Sequence, residues 1–508
     1  MISSVTVVAA LTGPLPKLGV VVVAAFVAVA LLSRGSRERA LAMLGALVLA
    51  PLLLLADIWH SPQLGSVHRH PLIAVVVAVA GLAVVVIAAR FIVRSPALLA
   101  PLAVVALPFR IPIQAGGSTS NLLVPLYLVV AAGSVAFIFI ALRDGGDGAD
   151  TAARPGWVER LLAAYVVLYA IQSVYSADFE KALQQLVFFY VPFALMFCLL
   201  RRLYWSKRLL RGCLELVVGL TLLFALVGFV EYATKTLLLN PKLVAANAVH
   251  SYFTVNSVFF DPDIFGRFLA LVMILLAAIL LYDRRQREQL GATAALGVLW
   301  AALVLTLSRS SLAALLLGLA ALAAFRWNLS RALIPAVLVV AIGVAVVLIT
   351  PNTFGLNQGL NGASSGRAGL VSGGLKLFGQ RPLWGYGSGS FVVQYRKHHP
   401  QTTTTLAASH TIPITIAAEQ GLIGELVYLA LVIAAVVTLL RGARARPARV
   451  AVGAAFLALV FHTLLYADFL EDPVTWTLLG IGMALAVPAR APLASVTTPP
   501  KELAPIAA

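Results

Sequence analysis

The chain has 508 residues, of which 61% are hydrophobic and only 11% are charged. Soluble globular domains carry about 25% charged residues, so this composition excludes an ordinary soluble protein and indicates a long polytopic membrane protein. The net charge of +17 does not indicate a nucleic-acid-binding protein, because the basic residues lie in short turns between apolar runs. The two cysteines, Cys198 and Cys213, form neither a disulfide framework nor a zinc motif.

Apolar runs predict an all-α polytopic membrane protein with about fifteen transmembrane helices (12–15), since a span needs about 20 apolar residues. The first run has no convincing cleavage site after it and predicts a retained helix rather than a signal peptide. Segment 96–109 is short and contains Pro101 and Pro108, so it is either a span or a broken, re-entrant segment. The predicted spans are 18–32, 40–56, 71–89, 96–109, 121–142, 157–174, 184–200, 208–230, 263–282, 292–307, 310–325, 332–350, 411–440, 448–466 and 472–488.

The positions of Lys and Arg predict the orientation. With the N-terminus outside and strict alternation, every short basic cluster falls on the inner side, including 34–39, 284–287 and 441–449. The unusual polar segments then fall outside, at 57–70, 110–120, 231–262, the Ser308-Arg309 junction, 351–410 and 466–472. Function is therefore expected on the outer face.

Three regions follow from this arrangement. We expect N-terminal transmembrane helices over 1–230 and a membrane domain over 231–490. This domain includes one large external loop, 351–410, that contains short amphipathic helices. Residues 491–508, with Pro499 and Pro500, are expected to form a disordered cytoplasmic tail.

Two arginines on the outer side are candidate anion-binding groups. Arg309 lies in the run Thr306 to Ser311, between two apolar runs with almost no loop, and opposes the positive-inside bias. Arg367 follows Ser364-Ser365-Gly366, where a helix begins with Val371, Leu375 and Phe378 at helical spacing. A guanidinium stays charged and binds phosphate through two hydrogen bonds. The structural alternatives are a snorkelling arginine and a surface charge on an interfacial helix.

His410 is a candidate general base. It precedes Pro413 and a long apolar helix, whose positive N-terminal dipole would keep the imidazole neutral. A neutral imidazole accepts a proton from a hydroxyl. The alternative is a histidine hydrogen-bonded at the membrane interface. Within the same helix, Glu419 and Glu425 are either functional carboxylates or structural partners of an arginine.

A metal site is not expected. Asp263, in the segment Phe259 to Arg267, is interpreted as a helix cap in preference to a metal ligand. The cluster His60, His68 and His70 has no carboxylate or cysteine to complete a metal site. The glycines between Arg381 and Gly389 permit tight turns, and a phosphate cradle there is a weak signal on its own.

Four segments in this order resemble the superfamily of O-antigen ligases and O-antigen polymerases, which are bacterial membrane glycosyltransferases. Phe260 to Gly266 is similar to the family's aromatic-Asp/Asn-Pro-Asn element, and Leu305 to Ser310 to its Thr-x-Ser-Arg junction. Arg367 with Arg381-Pro382-Leu383-Trp384-Gly385-Tyr386-Gly387 is similar to its external-loop signature, and His410 with Ala418 to Gly424 to its histidine and Glu-x-Gly-x-x-Gly helix. Asp263 and Thr411 stand where the family usually has Asn. The resemblance covers about residues 250–485.

This resemblance implies a metal-independent glycosyltransferase without a cofactor in the bacterial cytoplasmic membrane. Its donor would be a polyprenyl-pyrophosphate-linked glycan and its acceptor a hydroxyl of a glycan or lipid-glycan, with inversion at the sugar. Arg309 and Arg367 would bind the pyrophosphate and His410 would act at the acceptor. We expect Arg381, Asp261, Arg267 and Glu419 to contact substrates.

Two other functions remain open from the sequence. One is a transporter or flippase of lipid-linked glycans, although the chain shows no clear internal repeat and few midplane charges. The other is a metal-dependent membrane glycosyltransferase that uses Asp261 and Asp263. Ligase and polymerase activity differ in the acceptor and are not separated by these motifs.

Overall fold

A computed structural model describes residues 13–59, 68–115, 118–143, 154–238, 243, 244, 247, 253–327, 367–400 and 409–487. The predicted span 332–350 lies outside the described residues. So do His60, segments 351–366 and 401–408 of the predicted external loop, and the predicted tail.

The first half of the chain is a series of apolar helices with one β-hairpin. A 3-10 turn (Pro96–Leu98) and a π-helical turn (Leu186–Tyr190) lie between some of these helices. The elements are α1 (Pro14–Leu32), α2 (Ser36–Ile58), α3 (Pro71–Arg94), α4 (Leu99–Ala106), β1 (Ile111–Ala115), β2 (Ser118–Leu122), α5 (Val124–Arg143), α6 (Trp157–Ser173), α7 (Phe179–Gln185), α8 (Val191–Arg202) and α9 (Lys207–Thr234).

The second half carries the longer helices that bear the sequence motifs. They are α10 (Pro262–Tyr282), α11 (Gln286–Thr306), α12 (Arg309–Arg326), α13 (Arg367–Gln380), α14 (Phe391–His398), α15 (Ile412–Leu440), α16 (Pro447–Leu465) and α17 (Pro473–Ala486). Helix α10 packs against α11, α12 and α16, while α13 packs on α15. The motif-bearing helices thus form two packed groups, one around α10 and the other made of α13 and α15.

The all-α polytopic membrane class is confirmed for the described part of the chain. Eleven of its helical segments are long and apolar enough to cross a membrane. This is fewer than the predicted fifteen, because 96–106 and 473–486 are shorter apolar helices, α6 has 17 residues, and 332–350 lies outside the described residues. Segment 96–109 holds only a short helix before the antiparallel hairpin of β1 and β2, where Pro108 cannot continue a helix.

Contacts between helix termini define two ends of the bundle. At one end, here called the basic end, Arg211 contacts Glu288 at 2.6 Å, Arg326 donates to Leu281 O and Arg446 donates to Leu485 O. The starts of α10, α12 and α13 meet the end of α16 at the opposite end, here called the site end. The basic turns and the sequence motifs thus separate as the charge pattern predicts.

Helix α15 is kinked rather than continuous. Gly421 has φ +67°, and the glycine-rich turn that follows α13 enters the kink. Leu422 N donates to Pro382 O at 2.7 Å, and a Cβ on Gly421 would lie 2.4 Å from Leu383 O. Only glycine fits this conformation and this close approach.

Helix α13 confirms the predicted helix at Arg367, but its buried face differs from the predicted one. The buried side chains and glycines are Leu370, Gly373, Gly374 and Leu377, whereas Leu375 is exposed. The two glycines decide the orientation, because a Cβ at Gly373 would lie 2.3 Å from the Tyr395 ring and one at Gly374 would lie 2.4 Å from Ile414.

Candidate functional site

The junction between α11 and α12 is held by serines against the start of α10. Leu307 adopts φ +53° and ends α11, and Ser308 then caps α12 by accepting from Ser311 N at 3.3 Å. The Ser308 hydroxyl also donates to Asp263, and the Ser310 hydroxyl lies 3.1 Å from Asp263 Oδ1. Arg309 is the first residue of α12 and its side chain is exposed.

Asp263 is therefore a bridging carboxylate, and the predicted cap at this position is wrong. The N-cap of α10 is Asp261, whose Oδ1 accepts from Asp263 N at 2.7 Å. Asp263 is the second residue of the helix, in its first turn, and its second oxygen Oδ2 is 3.6 Å from Arg367 Nη2. The reason is Pro262, which suits the first helical position and makes the preceding residue the cap.

Arg367 lies at the start of α13 and reaches over the ends of two other helices. Its Nη1 donates to Leu465 O at 2.8 Å, and its side chain remains 35% exposed. The carbonyl oxygen and Asp263 hold the guanidinium from one side. A guanidinium side chain that is partly exposed in this way can contact an anion.

His410 occupies a strained backbone position beside Arg367. It has φ +56°, and Ser409 stabilises the turn by donating to Thr411 O at 2.7 Å. The ring is partly buried, and its Nδ1 is buried and has no hydrogen-bond partner among the described residues. Burial lowers the pKa of His410 below its ordinary value, and the charge of Arg367 lowers it further, while Asp263 and Asp468 raise it.

Burial and a neighbouring charge favour the neutral state predicted for His410. Helix α15 begins at Ile412 with Thr411 as its N-cap, so the ring belongs to the turn before the helix. Burial is the largest effect on the pKa and Arg367 the second.

A histidine and a tyrosine that the sequence analysis did not single out complete this cluster. His462, fully buried in α16, has Nε2 3.2 Å from both the Ser310 and the Ser311 hydroxyls. The Tyr466 ring lies between the two histidines, with centroids 5.8 Å from His410 and 5.6 Å from His462. A histidine inside an apolar span was the signal that could have identified His462.

Asp261, the N-cap of α10, joins the same cluster through a hydrogen bond with Tyr466. Burial, followed by the charge of the neighbouring Asp263, raises the pKa of its carboxyl to about 6, although hydrogen bonds from Asp263 N and Tyr466 oppose the shift. Tyr466 therefore contacts both the predicted substrate contact Asp261 and the ring of His410.

Arg267, another predicted substrate contact, is enclosed by protein. Its Nη2 lies 2.9 Å from Asp472 Oδ2, and both side chains are at most 4% exposed. Its Nη1 donates to Asp468 O at 3.3 Å. The contact with Asp472 is an ion pair without hydrogen-bond alignment. Segment 466–472, noted for its polarity in the sequence, supplies both partners, the carboxylate of Asp472 and the backbone carbonyl of Asp468.

Glu419 and Arg381 lie in a second group at the glycine-rich turn. The Glu419 carboxylate accepts from Gly389 N at 2.8 Å and from Phe391 N at 2.9 Å. The Arg381 guanidinium lies over the Tyr386 ring, 4.6 Å from its centroid, and is exposed. The structure thus brings His410, Arg367, Asp261 and Asp263 together, while Glu419 holds the turn that follows α13.

Metal ligands do not cluster in the described residues. No group of three or more His, Cys, Asp or Glu there could hold a metal ion. Asp261 and Asp263 instead accept hydrogen bonds from backbone and side-chain donors.

Comparison with known families identifies the motif-bearing part of the chain. Residues 294–429 match the family model of O-antigen ligases. This match covers about a quarter of the chain and supports membership of the O-antigen ligase superfamily, as the motifs predicted. The matched segment contains Arg309, Arg367, Arg381, His410 and Glu419. No curated protein matches the chain.

Proposed function

We propose that this protein is a glycosyltransferase that joins a polyprenyl-pyrophosphate-linked glycan to an acceptor hydroxyl, at the outer face of the bacterial cytoplasmic membrane. The observation that carries the proposal is the convergence of His410, Arg367 and Asp263 at one end of the bundle. The donor, the acceptor class and the sidedness come from the family resemblance and the charge pattern. The N-terminus is also proposed to lie on the outer face. The chain is proposed to cross the membrane fifteen times.

Arg309 and Arg367 are proposed to bind the pyrophosphate. Both side chains have exposed parts at the site end, and each stands in the first turn of a helix, where backbone N–H groups also attract anions. As the glycosidic bond to the pyrophosphate breaks, negative charge grows on the leaving oxygen. Two fixed guanidinium groups offset that charge without reorganising.

His410 is proposed to take the proton from the acceptor hydroxyl. Its lowered pKa keeps the imidazole neutral near pH 7, so that it can act as a base. The acceptor oxygen then bonds to the anomeric carbon while the bond from that carbon to the pyrophosphate breaks. This single displacement inverts the anomeric centre and releases polyprenyl pyrophosphate. Since Nδ1 is buried, Nε2 is the nitrogen available to the acceptor.

The test is glycan transfer in membranes that contain each variant at equal abundance. Arg309→Ala, Arg367→Ala and His410→Ala should each reduce transfer by roughly 100-fold or more. Arg396→Ala, which removes an exposed arginine from the same loop on α14, is the matched control and should transfer normally. Near-normal transfer by all three site variants would contradict the assigned roles.

Two further measurements separate the alternatives. Transfer should persist in excess chelator, whereas its loss would favour a metal-dependent enzyme built on Asp261 and Asp263. A purified protein that moves a labelled lipid-linked glycan between leaflets without joining it would favour a transporter. The glycan of a deletion strain distinguishes the acceptors, since single repeats indicate a polymerase and unattached long chains a ligase.

A further inference from the structure

An apolar cavity of about 650 Å³ lies away from the candidate site, between α9, α10, α16 and α17. Most of the side chains that line it are aliphatic, with Leu210, Val217, Leu275 and Ala451 among them. Its volume lies within the range of about 300–1,000 Å³ that is usual for ligand sites. A cavity with a largely apolar lining suits an apolar group.

The cavity is deep enough for a lipid chain. Phe268 and Tyr282 of α10 both line it. At 1.5 Å per helical residue, these positions are separated by about 21 Å along the helix. One leaflet contributes about half of the 30 Å hydrocarbon thickness, so the cavity extends from the basic end to beyond the midplane.

The mouth of the cavity carries the features of a headgroup region. Trp205 and Tyr282 line it at the basic end, and these residue types are enriched at membrane interfaces. Lys207, Arg211 and Arg285 also line this end.

Charge at the mouth is not fully compensated. Arg211 is paired with Glu215 and Glu288, at 2.7 and 2.6 Å. Lys207 and Arg285 are exposed, and the same turns carry the further exposed basic residues Arg208, Arg284 and Arg287. The acidic residues at this end are Asp283 and Glu288 in the lining and Glu215 beside Arg211. The basic residues outnumber them, so the rim attracts an anion, and basic pockets between transmembrane helices are a recurrent way of binding anionic lipid headgroups.

We propose that this cavity binds an anionic glycerophospholipid from the leaflet at the basic end, with an acyl chain in the cavity and the phosphate at Lys207 and Arg285. The lipid packs along α10, the helix that carries Asp261, Asp263 and Arg267 at its other end. Its binding therefore stabilises the helix on which the candidate site is built. The proposal does not depend on the reaction proposed above.

The test measures lipid retention and melting temperature of the purified full-length protein in a neutral detergent. Three probes are added separately: phosphatidylglycerol, phosphatidylcholine and a polyprenyl phosphate. Phosphatidylglycerol should be retained in native mass spectrometry and should raise the melting temperature by about 2 °C or more. Phosphatidylcholine should do so much less. Equal retention of the two phospholipids would overturn the proposal.

Variants assign the effect to this cavity. Lys207→Ala/Arg285→Ala should weaken phosphatidylglycerol binding roughly 30-fold. Each basic residue near the headgroup strengthens binding roughly fivefold, and the two effects multiply. The matched control is Arg34→Ala/Arg37→Ala, which removes two exposed arginines from the α1–α2 turn and should bind as the native chain does. Unchanged binding by Lys207→Ala/Arg285→Ala would overturn the proposal.

A second variant narrows the cavity without changing its charge. Ala278 lines the cavity on α10, and Ala278→Phe should reduce phosphatidylglycerol retention while the protein elutes as the native chain does. Retention equal to the native chain would refute the location of the acyl chain. Preferential retention of the polyprenyl phosphate that survives loss of Lys207 and Arg285 would assign the cavity to a prenyl chain instead.

Discussion

The ion pair between Arg267 and Asp472 distinguishes a structural charge from a substrate contact. The sequence predicts that Arg267 contacts substrate, yet its guanidinium is 2.9 Å from Asp472 Oδ2 and the side chain is 3% exposed. We predict that Arg267→Met lowers stability sharply, because it leaves the Asp472 carboxylate buried and unpaired. Asp468 O would lose its guanidinium donor at the same time.

The magnitude follows from the burial of both partners. Removing one partner of a buried ion pair costs about 3–5 kcal/mol. This corresponds to a melting temperature lower by roughly 5–15 °C. In the native protein Asp472 Oδ1 caps α17 by accepting a hydrogen bond from Val474 N at 3.0 Å. Adding Asp472→Asn to Arg267→Met removes the unpaired charge and keeps a side-chain oxygen for this hydrogen bond. The double variant should regain most of the lost stability.

The assay combines thermal unfolding in detergent with glycan transfer in membranes. If Arg267 acts only through Asp472, stability and transfer fall together in Arg267→Met and recover together in the double variant. If Arg267 also contacts substrate, the double variant regains stability but not transfer. Melting of Arg267→Met within about 1 °C of the native protein would refute the reasoning about the buried pair.

Three further predictions concern His410 and the contact between α15 and the glycine-rich turn. Because the pKa of His410 is lowered, transfer should remain high down to the ordinary imidazole value of about 6.5 and fall only below it, as the ring gains a proton; an acid limb above pH 7 would contradict this. Gly421→Ala should lower the melting temperature, since its Cβ would lie 2.4 Å from Leu383 O. The control is Gly297→Ala in α11, whose Cβ would meet no described atom within 4 Å and which should leave the melting temperature unchanged. Similar effects in both variants would argue against the kink as the cause. Glu419→Gln should lower the free energy of unfolding by about 1–3 kcal/mol, because it disturbs the hydrogen bonds from two backbone N–H groups, and transfer should fall in parallel. Loss of transfer at unchanged stability would indicate a substrate contact.

The sequence predicted the segments of the site better than its contacts. Arg309, Arg367 and His410 stand at polar interruptions of apolar runs, and such interruptions are visible in a single sequence because they are local. The partners of these residues were not visible. Asp263 was interpreted as a helix cap, whereas the structure shows its carboxylate bonded to Ser310 and 3.6 Å from Arg367.

His462 shows the same limit from the other direction. It lies within a predicted span that otherwise reads as membrane-embedded, about 150 positions after the serines whose hydroxyls it contacts. Hydrophobic periodicity identifies the helix that carries such a residue but not the neighbour that it meets. That pairing depends on how α10, α12 and α16 pack.

The sequence by itself determined the membrane class, the approximate positions of most spans and the separation of basic turns from polar motifs, because span length and loop charge are properties of consecutive residues. Only the tertiary structure decided that Arg267 is enclosed by Asp472, that Glu419 holds a glycine-rich turn, and that α15 bends at Gly421. Each of these depends on backbone and side-chain groups from distant segments. Burial and close approach arise from packing, which the order of residues along one segment does not contain.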